Sequence, residues 1–242
     1  QNHGISQEKN IDKSKYHSSI DVVNMALKYK CESISYTYNE PTIFYPYAKD
    51  IAIEAKKHGI KSVYVSNGFE SREVIDDMKG LIDAVNIDLK CFSQSYYKSN
   101  LGGNLNQVLQ NLKHFKKNDI WLEITTLLVP GKNDSKDELE KIAKFIKEEL
   151  DEFTPWHISS FHPDYKDMHI PHTSMDSLQM AYKIGKEAGL KYVYIGNTSL
   201  QNDTHCPNCN HTVLKRNRFE VIENNIKNGK CPICNYKIQG VY

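Results

Sequence analysis

Residues 83–90 read Asp-Ala-Val-Asn-Ile-Asp-Leu-Lys. Period-two alternation sends Val85, Ile87 and Leu89 to one face of a strand, and Asn86, Asp88 and Lys90 to the other. A strand inside a parallel sheet is ordinarily apolar on both faces. An amide, a carboxylate and an amine on one face cost free energy to bury unless each has a partner. Two readings stand open at this point. Asp88 and Lys90 pair with each other, or the polar face lines a site.

Working outward, strand-like and helix-like stretches alternate from about residue 19 to 195. The strands are SISYTYN (33–39), KSVYVSN (61–67), LIDAVNIDLK (81–90), IWLEITTLLVPG (120–131), PWHISSF (155–161) and a short KYVYIG (191–196). Helical periodicity marks 19–30, with Val22, Met25, Ala26 and Tyr29 on one face. A second helix runs over 41–59, with Pro41 in its first turn, Gly59 at its stop and Pro46 distorting its start. Further helices are expected at 71–79, 104–118 and 176–189. Ser135 and Glu138 have the spacing of a capping box, followed by a stripe of Leu139, Ile142, Ala143, Ile146 and Leu150. Such alternation implies right-handed βαβ crossovers and an α/β fold with a parallel sheet. A complete eight-unit barrel needs about 250 residues. A partial barrel or an open doubly wound sheet fits the length better.

The other strands also end in polar groups: Asn39-Glu40, Ser66-Asn67-Gly68, Glu123 with Thr125 on one face, and Phe161-His162-Pro163. In parallel α/β folds ligands bind at the C-terminal ends of strands. One such residue is ordinarily a cap or a satisfied core group, and Glu40 is placed to cap the helix at Pro41. The repetition over several strands favours a shared site. Hydrolase, zinc-protease and nucleotide-binding loop motifs are missing from the sequence. Lys90 as a Schiff-base nucleophile of a barrel lyase or aldolase is the rival reading.

Of six cysteines, four form Cys206-Pro-Asn-Cys209 and Cys231-Pro-Ile-Cys234. Two such knuckles supply four thiolates to a tetrahedral zinc or iron ion, as in a zinc ribbon. Asn210 and Asn235 follow the knuckles where a left-handed residue is needed. A purely structural metal is the plainer reading, and a non-catalytic scaffold carrying a zinc ribbon is a further alternative. Cys31 reads as a small buried residue in a helix and Cys91 as structural. Lysine plus arginine total 31 against 30 acidic residues. That balance argues against a nucleic-acid or membrane-surface binder, although the tail is mildly basic. No membrane-length apolar run and no signal-peptide pattern is present, so the expected compartment is the cytoplasm.

The ordered series QNHGISQ (1–7), YTYNEPTIF (36–44), SNGF (66–69), NIDLK (86–90), ITTLLVPGKND (124–134), FHPDY (161–165), YVYIGN (192–197) and CPNC…CPIC resembles the radical SAM enzymes of the AmmeMemoRadiSam system. These are relatives of the pyruvate formate-lyase activating enzymes. The resemblance implies a partial (β/α)6 TIM-like barrel lacking its first strand over residues 1–196. A small four-cysteine, zinc-ribbon-like module would follow over 197–242. It implies a [4Fe–4S] cluster and S-adenosylmethionine (SAM), cleaved to a 5′-deoxyadenosyl radical that takes hydrogen from a substrate. Gln1-Asn2 match the pair that follows the last cluster cysteine, so the cluster ligands are expected before residue 1 and the chain as printed is expected to be inactive. By position, Asn39 and Glu40 match the segment holding the SAM amino group. Ser66 and Asn67 lie beside SAM, Asp88 and Lys90 near its carboxylate. Glu123 faces the ribose and methionine, and His162 the nucleoside. Val65 stands where activating enzymes often carry Asp, so the resemblance does not extend to their cation site, and the assignment of a glycyl-radical enzyme as substrate is weakened. The implied partners are a small-molecule or protein substrate, an electron donor such as ferredoxin or flavodoxin, and other proteins of the same gene system.

Overall fold

The computed structural model describes residues 16–200, 202–218 and 220–240. The stretch 1–7 that matched the cluster loop lies outside them. In chain order the elements are α1 (Ser19–Lys28), β1 (Ser33–Tyr36), a 3-10 turn (Pro41–Phe44), α2 (Tyr45–Lys57), β2 (Lys61–Ser66), α3 (Arg72–Met78) and β3 (Ala84–Asp88). Then come α4 (Gln94–Asn100), α5 (Leu105–Lys117), β4 (Trp121–Leu128), α6 (Lys136–Phe145) with a π-helical turn (Ile146–Leu150), β5 (Trp156–Ser160), α7 (Met175–Glu187) and β6 (Val193–Gly196). The chain ends in β7 (Thr204–His205), β8 (Thr212–Asn217) and β9 (Glu220–Asn224).

Strands β1 to β6 form one six-stranded sheet in sequence order, and β7 to β9 form a separate three-stranded one. A doubly wound sheet reverses its strand order at a switch point. The order here has no reversal, which removes the doubly wound alternative and agrees with the expected partial barrel. The chain divides into two units, Gln1–Asp88 with Asn106–Leu122, and Leu89–Leu105 with Glu123–Tyr242.

In the first unit β1, β2 and β3 pair in parallel. The register sets Tyr64 beside Val85 and Ser66 beside Ile87, while Val65 lies beside Asn86. Ser66 therefore shares the buried face of the sheet, and Asn86 the opposite one. Helix α1 opens with a capping box that the pattern search passed over: Ser18 Oγ accepts from Asp21 N at 3.2 Å, and Asp21 accepts from Ser18 N at 2.9 Å. Such a cap contributes about 1 kcal/mol. The buried face of α1 is Val23 and Ala26, not the expected Val22, Met25 and Tyr29. These smaller residues let α2 approach α1 closely. Cys31 is exposed beyond the helix end rather than buried within it. Pro46 does interrupt its helix: the chain makes a 3-10 turn first, and α2 starts at Tyr45.

In the second unit β4, β5 and β6 pair in parallel, aligning Thr125 with His157 and His157 with Tyr194. Trp156 is fully buried, and its indole N–H donates to Thr126 Oγ1 at 3.0 Å. Thr126 in turn donates to Leu89 O at 3.0 Å. A Cβ on Gly185 of α7 would sit 3.0 Å from both the Trp156 ring and Val193. Only glycine admits that approach without displacement. Ser135 caps α6, accepting from Glu138 N at 3.3 Å, but the reciprocal bond is not the one made. The Glu138 carboxylate accepts from Phe92 N instead, drawn there because Phe92 packs on Phe145 of α6 with ring centroids 5.8 Å apart. Helix α4 was not expected; its serines, tyrosines and asparagine are middling helix formers, and the Ser93 cap supplies the start.

The small sheet encloses Cys206, Val213, Cys231 and Ile238. It is joined to β6 by side chains. Ile195 N donates to Asn202 Oδ1 at 2.9 Å, and Asn202 Nδ2 donates back to Ile195 O. Tyr192 OH donates to Gln239 Oε1 at 3.3 Å.

Candidate functional site

In the first unit the polar residues gather where β1 and β2 end. Glu40 takes the N-cap position of the 3-10 turn, with Oε1 accepting from Thr42 N at 3.2 Å and Thr42 Oγ1 at 2.8 Å. The same oxygen accepts from Ser66 Oγ at 2.8 Å, while Oε2 accepts from Asn67 N at 2.9 Å. The cap expected for Glu40 is therefore made, and the carboxylate also ties together two strand ends. Asn67 uses its side chain to accept from Phe69 N at 2.9 Å. Gly68 has φ +76°, and a Cβ there would meet Ile87 Cγ2 at 2.6 Å. Glycine is required on both counts. Asn111 of α5 fixes the turn by donating to Gly68 O at 3.0 Å and Glu70 O at 2.8 Å. Asn39 is exposed beside Glu40, and Asp88 lies half-buried on the polar face of β3.

Glu70 was not singled out from the sequence, yet its residue exposure is 0%. Its Oε1 meets Ser66 Oγ in a short hydrogen bond and accepts from Thr42 Oγ1 at 3.2 Å. Burial pushes its carboxyl above the ordinary range, and the neighbouring Glu40 charge adds to that. Burial likewise raises the Tyr64 phenol.

In the second unit Lys90 is held by its backbone. Its N–H donates to Tyr97 OH at 3.1 Å, and its carbonyl accepts from Asn133 Nδ2 at 2.6 Å. Asn133 also donates to Leu127 O at 2.8 Å and accepts from Val129 N at 2.7 Å. This explains the PGKND run: Gly131 takes φ +72° so that the loop can fold back over its own asparagine. Cys91 is buried and its thiol is pushed up to about 11, chiefly by that burial, which fits a structural cysteine. Glu123 pairs with His157 Nε2 at 2.7 Å. The His157 ring stacks on Tyr194 with centroids 5.2 Å apart, and Arg216 lies 5.6 Å over the other ring. Tyr194 OH and Arg216 Nη1 both reach Thr204 Oγ1, at 2.9 Å and 2.6 Å. His162 lies on an exposed loop after β5.

Cys206, Cys209, Cys231 and Cys234 place their sulfurs within 4.8 Å of one another. Two cross-knuckle pairs are 3.5 Å and 3.6 Å apart. Four sulfurs about 2.3 Å from a tetrahedral zinc would be separated by about 3.8 Å, so the set fits such an ion. Asn210 and Asn235 both have φ 59°, the left-handed turn expected after each knuckle.

Sequence reading thus named Glu40, Ser66 and Asn67, which the structure joins in one cluster. It named Glu123 without its partner His157, and it missed Glu70, Asn111, Asn133, Tyr194 and Arg216. Buried amides and acids of that kind carry no spacing signal. Among the described residues no helix is long and apolar enough to cross a membrane.

The model of the Radical SAM superfamily matches residues 3–146. An uncharacterised Methanocaldococcus jannaschii protein, MJ0808, is 39% identical over 222 residues, 90% of this chain and 66% of that protein. The pyruvate formate-lyase 1-activating enzyme of Escherichia coli is 26% identical over 117 residues, 46% of this chain and 48% of the enzyme. The crystal structure of a domain of the pyruvate-formate lyase-activating enzyme from Bacteroides vulgatus superposes with a TM-score of 0.59 at 19% identity, covering 68% of this chain and 98% of that domain. The chain thus spans from about half to about two thirds of the length of these curated relatives. The family model covers more than half of the chain, including the strands that lead to Glu40, to Ser66-Asn67 and to Asp88 and the strand that carries Glu123, and the chain belongs to the Radical SAM superfamily.

Proposed function

We propose that the intact protein cleaves SAM reductively and uses the product radical to take hydrogen from a substrate. The single observation that carries this is the Glu40 cluster, a hydrogen-bonded carboxylate at the C-terminal ends of β1 and β2, within the segment matched by the family model. SAM is a zwitterion with a sulfonium, so it needs both signs of charge in its site. Glu40, Asp88 and Glu123 supply the negative groups and Lys90 the positive one. Asn39, Ser66, Asn67 and His162 complete the set: Ser66 acts by fixing Glu40, and Asn67 by lending it a backbone N–H. When bound, a reduced [4Fe–4S] cluster supplies the electron that breaks the sulfonium to yield a 5′-deoxyadenosyl radical. The chain's own residues orient SAM and exclude water from it.

In this reading residues 1–196 form the SAM domain and 197–242 the module that holds zinc or iron. The compartment is the cytoplasm. The reductant is a ferredoxin- or flavodoxin-class donor, and the substrate a small molecule or a protein. The likeness to activating enzymes favours a protein substrate. The test is anaerobic reconstitution of the intact protein with iron and sulfide, followed by SAM and a reductant. Formation of 5′-deoxyadenosine is expected. A reconstituted protein that shows cluster absorbance but no 5′-deoxyadenosine would sink the reading. Borohydride trapping of a carbonyl compound on Lys90 would revive the Schiff-base alternative.

A further inference from the structure

We propose that Glu70 is a neutral carboxylic acid whose proton completes the Glu40 cluster, making Glu70 a positioning residue for the SAM site. The inference rests on the reading of Glu40 as a SAM-site residue, but its core is a matter of counting protons.

Thr42 and Ser66 each carry one hydroxyl proton. Each hydroxyl oxygen lies within hydrogen-bonding distance of both carboxyl groups: Thr42 at 2.8 Å from Glu40 and 3.2 Å from Glu70, Ser66 at 2.8 Å from Glu40 and in a short contact with Glu70. Ser66 Oγ also accepts from Gly68 N at 3.1 Å. Four oxygen–oxygen contacts therefore share two protons. With both acids ionised, two of these contacts would press acceptor on acceptor. In addition, among the described residues Glu70 Oε2 is buried without a hydrogen-bond partner. An ionised Glu70 would leave part of its charge on that unpartnered oxygen, in a place water does not reach.

One added proton removes the conflict. Glu70 Oε1–H donates to Ser66 Oγ, Ser66 donates to Glu40 Oε1, and Thr42 donates to the same oxygen. Glu70 Oε2 becomes the carbonyl oxygen of a neutral acid, far cheaper to leave unpaired than a charged one. Glu40 then carries the negative charge of the pair. Its Oε1 is occupied by donors from Thr42 and Ser66, and its Oε2, beside Asn67 N, keeps a second acceptor position for the SAM ammonium. A buried acid kept neutral in order to donate is an established device for fixing a functional anion.

Two measurements on the intact protein separate this proposal from the SAM reading itself. Difference infrared spectroscopy of wild type against Glu70→Gln, at neutral pH, reads the proton directly. A carbonyl stretch of a neutral carboxylic acid, present in wild type and lost in the variant, is expected. Its absence from wild type, or its persistence in Glu70→Gln, overturns the proposal whether or not SAM binds. Titration of the cluster-loaded protein with SAM reads the positioning role. Glu70→Gln, which is neutral and can donate, should bind within about twofold of wild type, whereas Glu70→Ala should lose about tenfold, the scale of one hydrogen bond. If Glu70→Gln weakens binding as much as Glu70→Ala does, the neutral-acid role is wrong. If Glu70→Ala does not fold, the infrared band and the Glu70→Gln affinity still decide. Failure of wild type to bind SAM, with the band present, would remove the functional reading and leave the protonated acid.

Discussion

Glu40 and Glu123 are both carboxylates near the ends or on the polar faces of parallel strands, and each is held by specific partners, but by opposite physical means. Glu40 sits among hydroxyls and a backbone N–H, with a second, fully buried acid behind them. Glu123 faces a histidine, and the two side chains are 32% and 30% exposed. Behind that histidine stand a tyrosine ring and an arginine from β8, next to the cysteine knuckles. The first arrangement is a set of hydrogen bonds around a half-buried carboxylate, with a fully buried acid beside it. The second is a carboxylate–imidazole contact with both side chains half-exposed, backed by a ring and by a cation from beyond the sheet. A network with a buried member suffers fully when one partner is lost, whereas a half-exposed contact is screened by solvent and replaceable.

The largest effect that would sharpen this contrast comes from the metal. Stripping the ion from the intact protein with a chelator, or replacing Cys231 by Ser, removes binding free energy on the order of 10 kcal/mol in sites of this type. Hydrogen exchange should then accelerate at Tyr194 and Thr204 and stay unchanged at Ser66 and Asn67. Equal acceleration in both places would break the contrast. Next, Glu40→Ala should cost about 3 kcal/mol in urea unfolding, because it orphans hydroxyls and an N–H around a charged acceptor. A cost below about 1 kcal/mol would show that the cluster does not hold the strand ends.

His157→Ala should cost about 1 kcal/mol, the sum of a half-exposed pair and a ring contact. That cost should shrink in molar salt, where the Glu40→Ala cost should not. The smallest effect is in pH. Because burial raises the Glu70 pKa in the folded state, wild type loses stability as pH rises from the ordinary glutamate value through the folded value. Glu70→Gln has no such titration. The variant should therefore gain on wild type as pH rises through that window, with Glu40 and Tyr64 facing the same spot in both proteins. A gap that is constant in pH would mean that Glu70 ionises normally.

The parts of this molecule that could be read from the chain are those set by period or spacing. The alternation in 83–90 placed Val85 and Ile87 in the core and Asn86 and Asp88 on the other face, as found. The cysteine spacing marked the metal site. What escaped was set by contacts distant in sequence. Glu138 has the spacing of a cap residue but serves Phe92, since an aromatic contact brings that N–H closer than its own helix end. Glu70 looks like an ordinary loop acid just before the N-cap of α3, and only the return of β1 beside β2 buries it. His157 lies in an unremarkable WHISS segment until the register of β4 and β5 sets it beside Glu123.

Among the described residues strand β6 is the last in its sheet, so on one side its peptide groups have no strand to pair with. Asn202 presents a carboxamide to both the N–H and the carbonyl of Ile195, imitating a single residue of a neighbouring strand. A side chain can satisfy one such position but cannot propagate pairing, so the border is closed against recruitment of another chain. Asn202→Ala would reopen it, and self-association through that border would follow even if the fold stayed intact.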